Sequence, residues 1–143
     1  GFENIVIRGL LLGMKRAEIY QKLNDIAAFT ELGEYLDLPV RIYSSGMATR
    51  LAFATVTAMD SDILLMDEVI GTSDAAFMDK AEKRLNEFMS RSKIIVLASH
   101  ENSLIKRFCN KAVLLEHGKI VSAGSTEEVL TTYHRRTAEI VGA

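Results

Sequence analysis

The chain has 143 residues, of which 48% are hydrophobic and 25% are charged, and its formal net charge is −2. This length predicts one domain, and the composition is that of an ordinary globular protein, which excludes a disordered or collagen-like chain. The slight negative charge gives no reason to expect a nucleic-acid partner. Because Cys109 is the single cysteine, neither an internal disulfide nor a cysteine-rich zinc site can form.

The sequence predicts neither a membrane-spanning helix nor a signal peptide. The uncharged apolar runs at residues 10–14 and 51–59 are shorter than the roughly 20 residues that a membrane-spanning helix needs. The first residues show no basic segment before an apolar one, so we expect no signal peptide. Gly1 stands where a Met would open a gene product, and we expect that the chain starts within a longer protein.

The first part of the chain has the apolar spacing of helices. This spacing predicts helices over residues 3–12, 16–31 and 45–58. Gly33 is predicted to end the second helix at its C′ position. Ser44 and Ser45 are candidate N-caps of the third, since serine is a preferred residue there.

The apolar spacing changes after residue 60. Residues 62–66 and 93–98 are short, continuous apolar runs, and a helical stretch at 75–90 separates them. This order is typical of two neighbouring strands in a buried parallel sheet. The fold class predicted for the chain is therefore α/β.

The last part of the chain predicts a hairpin followed by a helix. Residues 111–116 and 119–123 flank Gly118, which favours an antiparallel hairpin. Ser125 and Glu128 have the spacing of a capping box, which predicts the start of a final helix.

Acidic and histidine side chains follow the two predicted strands. Asp67 and Glu68 end the first strand, and His100 follows the second. At the carboxyl edge of a parallel sheet, Asp67 could hold Mg²⁺ through water, Glu68 could orient an attacking water and His100 could contact a γ-phosphate. The alternative is that the two acids are solvated and that His100 is a capping or surface residue.

A serine-glycine turn precedes the third predicted helix. Ser44, Ser45, Gly46 and Met47 lie where free N–H groups and the helix dipole favour a phosphate. The alternative is plain N-capping by Ser44 or Ser45.

Taken in order, these features resemble the C-terminal half of an ABC-transporter nucleotide-binding domain, over essentially the whole chain. Its motifs match the signature loop, Walker B with its following glutamate, the D-loop, the switch-histidine loop and the hairpin after it. In this sequence they are Tyr43-Ser44-Ser45-Gly46-Met47 with Arg50, residues 63–68, Asp74, Ser99-His100 and residues 111–125.

Within that family the chain is similar to polysaccharide exporters, which export O-antigen, capsule or teichoic-acid chains. The similarity lies in the YSSGM form of the signature loop, in residues 48–54, in residues 3–19 and in Ala75-Ala76-Phe77. Residues 71–73 (Gly-Thr-Ser) depart from the small-Val-Gly stretch usual before the D-loop aspartate.

The P-loop pattern G-x-x-x-x-G-K-[ST] does not occur in these 143 residues. We therefore interpret the chain as a partial ABC ATPase domain of the P-loop NTPase type. Residues 1–58 are expected to form the helical subdomain with the signature loop, and residues 59–143 part of a mainly parallel sheet with a C-terminal hairpin. We expect that this chain alone does not hydrolyse ATP.

The resemblance implies an ATPase with ATP and Mg²⁺ as cofactors, acting as a head-to-tail homodimer. Glu68 and His100 would be catalytic and Asp67 would support Mg²⁺. The signature residues Ser44, Ser45, Gly46 and Met47 would bind the partner's ATP, with Asp74 at the dimer interface. A transmembrane permease would be the second partner, at the cytoplasmic face of the inner membrane.

Two alternatives remain open at this stage. One is an ABC ATPase without a transport role, in translation or chromosome maintenance. The other is a degenerate, non-catalytic remnant, against which the retention of both Glu68 and His100 argues.

Overall fold

The computed structural model describes residues 1–67 and 75–141 of the chain. These residues form two compact units. The first contains residues 1–64 and, of the described residues that follow, 75–94. The second contains residues 65–67 and 95–141. The α/β class predicted from the sequence is confirmed.

Helices dominate the first unit, and the three predicted in its first part are confirmed. They are α1 (Phe2–Leu11), α2 (Arg16–Thr30) and α3 (Ser45–Thr57), and α4 (Ala75–Arg91) follows in the place predicted for residues 75–90. Two short 3₁₀ turns, Gly33–Asp37 and Val40–Ile42, connect α2 to α3 and were not predicted.

The predicted end of α2 is wrong in its detail. The left-handed residue at the helix end is Glu31, with φ 57°, and not Gly33. Gly33 also has a positive φ, of 54°, but it opens the next 3₁₀ turn. A non-glycine residue rarely adopts this conformation.

The core of the first unit is built on three aromatic rings. Phe29 of α2 lies 5.5 Å from Phe77 of α4 and 5.9 Å from Phe53 of α3, measured between ring centroids. Such offset and edge-on pairs add to the stabilisation from burial itself. Ile5 and Ile19 close the same core from α1 and α2, and both are fully buried.

The predicted strands are present as β1 (Ile63–Asp67) and β2 (Ile94–Ala98), and they are neighbours in a two-stranded sheet. The N–H groups of Lys93 and Ile94 both donate to the carbonyl oxygen of Asp62, at 2.9 and 3.0 Å. Because the two strands are joined at their first residues, they run in the same direction, as predicted.

The apolar pattern of these strands is typical of a buried sheet, but because the sequence lacks the P-loop part of that sheet we expect exposed apolar side chains, and the structure confirms this. Leu65 of β1 is 74% exposed and Val96 of β2 is 54% exposed. An all-apolar strand needs cover on both faces of its sheet. In the described part of the chain, exposed and less exposed side chains alternate along both strands, so only one face of the sheet is covered. The sequence shows which residues are apolar but not what packs on them.

The second unit holds the predicted hairpin, β3 (Lys111–Glu116) and β4 (Lys119–Ser125), and α6 (Thr126–Val141). His117 and Gly118 form its two-residue turn with φ 49° and 76°, the combination that suits a tight hairpin. A short helix, α5 (Asn102–Phe108), lies between β2 and β3 and was not predicted.

The capping box predicted at the start of α6 is confirmed. The N–H of Ser125 donates to Glu128 Oε2 at 3.1 Å, and the N–H of Glu128 donates to Ser125 Oγ at 3.4 Å. The Ser125 hydroxyl also donates to Glu128 Oε2 at 2.7 Å, and this bond, together with the one from the Ser125 N–H, lowers the pKa of Glu128 below its ordinary value. None of the helices among the described residues combines the length and apolar character needed to span a lipid bilayer.

Candidate functional site

The signature-loop residues lie at the N-terminus of α3. Ser44 has an extended backbone and its Oγ accepts a hydrogen bond from the N–H of Met47 at 3.2 Å, so it is the N-cap. Ser45 opens the helix and is not the cap. The capping interpretation is therefore confirmed for Ser44 only.

Capping leaves part of the helix N-terminus available to a ligand. The N–H groups of Ser45 and Gly46 belong to the first turn, where α-helix geometry provides no acceptor. A Cβ added at Gly46 would have Ser44 Oγ, 3.9 Å away, as its nearest neighbour outside the helix backbone. Packing within the chain thus does not require glycine here, whereas close approach of an anion would.

Tyr43 ties this loop to the rest of the first unit. Its hydroxyl donates to the carbonyl oxygen of Tyr35 at 2.7 Å. Partial burial, together with the negative charge of Asp37, raises the pKa of Tyr43 above its ordinary value. The phenol therefore stays protonated at neutral pH and keeps this hydrogen bond.

The strand-end residues lie in the second unit. Asp67 is the last residue of β1, and His100 lies two positions beyond Ala98, the last residue of β2. Because β1 and β2 start together, run in the same direction and have five residues each, their ends lie at one edge of the sheet. Asp67 and His100 are both exposed there.

The loop after β2 has a defined turn. The N–H of Glu101 donates to Ser99 Oγ at 3.0 Å, and Ser103 Oγ donates to Glu101 Oε1 at 2.6 Å. These bonds order the backbone on either side of His100. His100 also takes part in an interaction within the chain.

Two predicted site residues, Glu68 and Asp74, lie outside the described residues, as does the departing stretch at residues 71–73. Among the described residues, no group of three or more His, Cys, Asp or Glu side chains could hold a metal ion. The Asp67 carboxylate is exposed, and it forms none of the ion pairs found between described residues. Its chemistry fits Mg²⁺, which is held by one or two carboxylates and keeps several waters.

One arrangement near the signature helix was missed in the sequence. Glu31 Oε1 accepts a hydrogen bond from Lys80 Nζ of α4 at 2.7 Å, and Glu31 Oε2 lies 3.7 Å from Arg50 Nη1 of α3. The three residues are 19 and 30 positions apart along the chain, and no motif links them. The fold, and not any local pattern, brings the carboxylate between the two cations.

No protein-family model matches the chain. Curated relatives nevertheless align with most of it. The O-antigen export system ATP-binding protein RfbE of Yersinia enterocolitica is 53% identical over 120 residues, which cover 84% of this chain and 50% of the relative. RfbB of Myxococcus xanthus, of the same description, is 44% identical over 133 residues, 93% of this chain and 30% of the relative.

A third relative extends the comparison to another exported polymer. The teichoic acids export ATP-binding protein TagH of Lactococcus lactis is 38% identical over 135 residues, 94% of this chain and 29% of the relative. The chain thus spans half or less of the length of these three relatives.

Solved structures show the same fold. The ATP-binding subunit of an ABC transporter superimposes with a TM-score of 0.71 at 19% identity, over 93% of this chain and 55% of that one. CbiO1 of Clostridium perfringens, from the ABC transporter complex cbiONQ, gives a TM-score of 0.56 at 19% identity, over 97% and 56%. The chain therefore has the fold of ABC-transporter ATP-binding subunits, and its sequence is similar to the ATP-binding proteins of O-antigen and teichoic acid export systems.

Proposed function

We propose that this chain supplies the signature loop and the Walker B and switch-histidine residues of an ATPase that drives export of a polysaccharide or lipid-linked glycan. The observation that carries the proposal is the order of three features. A capped helix N-terminus at Ser44 is followed by an acid at a strand end, Asp67, and by His100 after the neighbouring parallel strand. The 53% identity with an O-antigen export protein supports the transported class.

The strand-end residues act on the ATP of their own subunit. Asp67 would hold Mg²⁺ through water, and the ion would neutralise charge on the phosphates. Glu68 accepts a hydrogen bond from the attacking water and orients it towards the γ-phosphate. His100 contacts the γ-phosphate and steadies Glu68. Catalysis consists mainly of positioning and charge stabilisation, as in other phosphoryl transfers.

The signature residues act in trans. Ser45 and Gly46 offer their first-turn N–H groups, and Ser44 its hydroxyl, to the γ-phosphate held by the second subunit. The subunits therefore pair head to tail, with Asp74 at their interface. Binding of two ATP molecules favours the closed dimer, and hydrolysis reopens it.

Transport requires a membrane partner that this motion can move. We assign that role to a transmembrane permease contacted by the helical region, residues 3–40. The ATPase is then peripheral, at the cytoplasmic face of the inner membrane. The names of the three relatives all specify export, which favours transport over translation or chromosome maintenance.

The proposal is tested in a complete ATPase, in which this chain is continuous with a P-loop segment. Glu68→Gln keeps the size and hydrogen bonding of the side chain but removes its charge. We expect phosphate release to fall by about 10²–10⁴-fold, the usual contribution of a water-orienting group. ATP binding should survive, so ATP-bound dimers should accumulate.

Two further variants separate the assigned roles. Asp67→Asn should weaken Mg²⁺ dependence and nucleotide affinity together, whereas Ser45→Arg should leave monomers able to bind ATP but block dimer closure. Nucleotide affinity, dimerisation and phosphate release are measured on all three variants. Near-normal turnover of Glu68→Gln would remove Glu68 from the mechanism and leave Asp67 or His100 as the candidate.

A further inference from the structure

Two helices of the first unit start at segments that the proposed function places against the second subunit. Helix α3 starts at the signature loop, and α4 starts directly after Asp74. A dimer that closes on ATP needs both segments at fixed positions relative to each other, so that both meet the second subunit. The contacts that fix α3 against α4 therefore bear on activity as well as on folding.

One carboxylate joins these two helices through α2. Glu31, directly after the last residue of α2, has its Oε1 2.7 Å from Lys80 Nζ of α4 and its Oε2 3.7 Å from Arg50 Nη1 of α3. We call Glu31, Arg50 and Lys80 the Glu31 bridge. Each cation is attracted to a different oxygen, so the bridge specifies the position of α3 and of α4 at once.

Aromatic rings hold both cations in place. The Arg50 guanidinium lies 4.4 Å from the centroid of Phe77, which is buried in α4. Lys80 Nζ lies 4.8 Å from the Phe29 centroid and donates to the Phe29 carbonyl oxygen at 3.2 Å. Cation–π contacts and a helix C-terminal carbonyl both favour a positive charge. The entropy lost on ordering long side chains usually weakens an exposed ion pair. Here the aromatic contacts already restrict Arg50 and Lys80, so less entropy is lost when they pair with Glu31.

We infer that Glu31 is a positioning residue. It fixes the signature helix α3 to α4, the helix after Asp74, so that the two close on the second subunit's ATP as one body. The inference rests on the proposed function. The strained backbone supports it, because Glu31 keeps a left-handed φ of 57° that a non-glycine residue rarely adopts. From that position the Glu31 carboxylate lies within ion-pair distance of both Arg50 of α3 and Lys80 of α4.

The chain offers a matched control for this inference. Asp25 of α2 pairs with Arg84 of α4 at 2.9 Å, and its side chain is 68% exposed, against 52% for Glu31. Among the described residues of α3, Arg84 donates a hydrogen bond to Thr57, the last residue of that helix. The Asp25 pair is thus a similar α2–α4 link that does not meet the signature half of α3.

The test compares Glu31→Gln with Asp25→Asn in the complete ATPase. Both substitutions remove a charge and keep the side-chain shape, and we expect similar small changes in melting temperature. For Glu31→Gln we expect kcat and ATP-dependent dimerisation to fall by about fivefold or more, the lower end of usual coupling between sites. The affinity of the Glu31→Gln monomer for ATP should change by less than about twofold, because the bridge does not contact the monomer's own nucleotide. The kcat of Asp25→Asn should also change by less than about twofold, because Asp25 is not part of the bridge.

Substitutions at the other side of the bridge provide the second measurement. Lys80→Met should reproduce the loss of kcat, and Lys80→Arg should retain most of the activity because it keeps the charge. Equal kcat for Glu31→Gln and Asp25→Asn, or an active Lys80→Met, overturns the inference and leaves the proposed function intact. An inactive wild-type ATPase overturns the proposed function, and this inference with it.

Discussion

The two compact units differ in how they treat their apolar residues. In the first, Ile5, Ile19 and Phe77 are shielded almost completely from solvent. In the second, Leu65, Leu115 and Ile120 are 74%, 62% and 68% exposed. The helices of the first unit share one buried core, whereas the strands of the second unit leave these side chains open to solvent. Each unit also has a residue of the other kind, since Leu11 is 82% exposed and Val129 only 3%.

The difference follows from the geometry of the two kinds of element. An amphipathic helix has one apolar stripe, and α1 to α4 can turn their stripes towards a common centre. An all-apolar strand carries such side chains on both faces, so it needs two covering layers. We expect the open faces of the second unit to be covered in a complete ATPase, and the predictions below test this contrast.

The largest effect is expected in the helical core. Phe77 is 1% exposed and its ring meets Phe29, Phe53 and the Arg50 guanidinium. Phe77→Ala should lower the free energy of unfolding by about 3–5 kcal/mol, because it leaves a cavity among these rings. Urea denaturation of the 143-residue chain, in which Leu65 is open to solvent, measures the loss. The matched control Leu65→Ala, at an exposed position, should stay within about 0.5 kcal/mol of wild type.

Equal losses for Phe77→Ala and Leu65→Ala would contradict the contrast between the units. They would mean that Leu65 is covered in solution, for example by self-association. The same samples examined by sedimentation would distinguish that outcome from a monomer.

A smaller effect is expected in the hairpin, where the two faces of β3 differ. Glu116 accepts two hydrogen bonds from Arg136 of α6, both at 2.8 Å, so the face that carries Ala112, Leu114 and Glu116 packs towards α6. Leu115 is on the opposite, exposed face and pairs with Ile120. Leu115→Thr should reduce self-association of the chain, because exposed apolar patches favour it.

Leu114→Thr is the companion variant, with the same chemical change on the covered face. It should lower the free energy of unfolding by about 1–3 kcal/mol without reducing self-association. Light scattering and urea denaturation give the two readouts. The account of the hairpin faces fails if the two variants behave alike.

The smallest effect is a pH dependence of the second unit. The hydrogen bonds from Arg136 hold the pKa of Glu116 below its ordinary value, against a small opposing effect of burial. Because the folded-state pKa is the lower one, this stabilisation is complete above the ordinary pKa, about 4.3. It is lost as the pH falls through the lowered pKa.

Glu116→Gln should therefore flatten the acid side of the stability profile, measured as the urea midpoint between about pH 2.5 and 6. Glu34→Gln, at an exposed glutamate of the first unit, is the control and should leave the profile unchanged. A Glu116→Gln profile that parallels wild type would show that the Arg136 contact contributes nothing in solution.

Much of the fold follows from local pattern, and its exceptions have physical causes. The stripe through Ile19 and Ile26 predicts α2, and the apolar runs predict β1 and β2, each to within one or two residues. The helix α5 was missed because seven residues hold too few turns for an apolar period to show. The end of α2 was misplaced because a glutamate, and not the glycine two residues later, takes the left-handed position at the helix end, which glycine usually fills.

The candidate site is predictable where it depends on sequence order and unpredictable where it depends on packing. Ser44, Asp67 and His100 occupy the helix start and strand edge that their motifs indicate. The Glu31 bridge joins residues that are distant along the chain, and only the folded backbone brings them together. The roles of Glu68 and Asp74, outside the described residues, stay predictions.

The central claim is that this chain provides the water-orienting acid of an ATPase but not the loop that holds the phosphates. Magnesium-dependent phosphate release tests it most directly, measured on the complete ATPase, on its Glu68→Gln variant and on the 143-residue chain alone. We predict turnover by the complete ATPase, its loss in Glu68→Gln, and none from the chain alone. Turnover by the chain alone that Glu68→Gln abolishes would contradict the account.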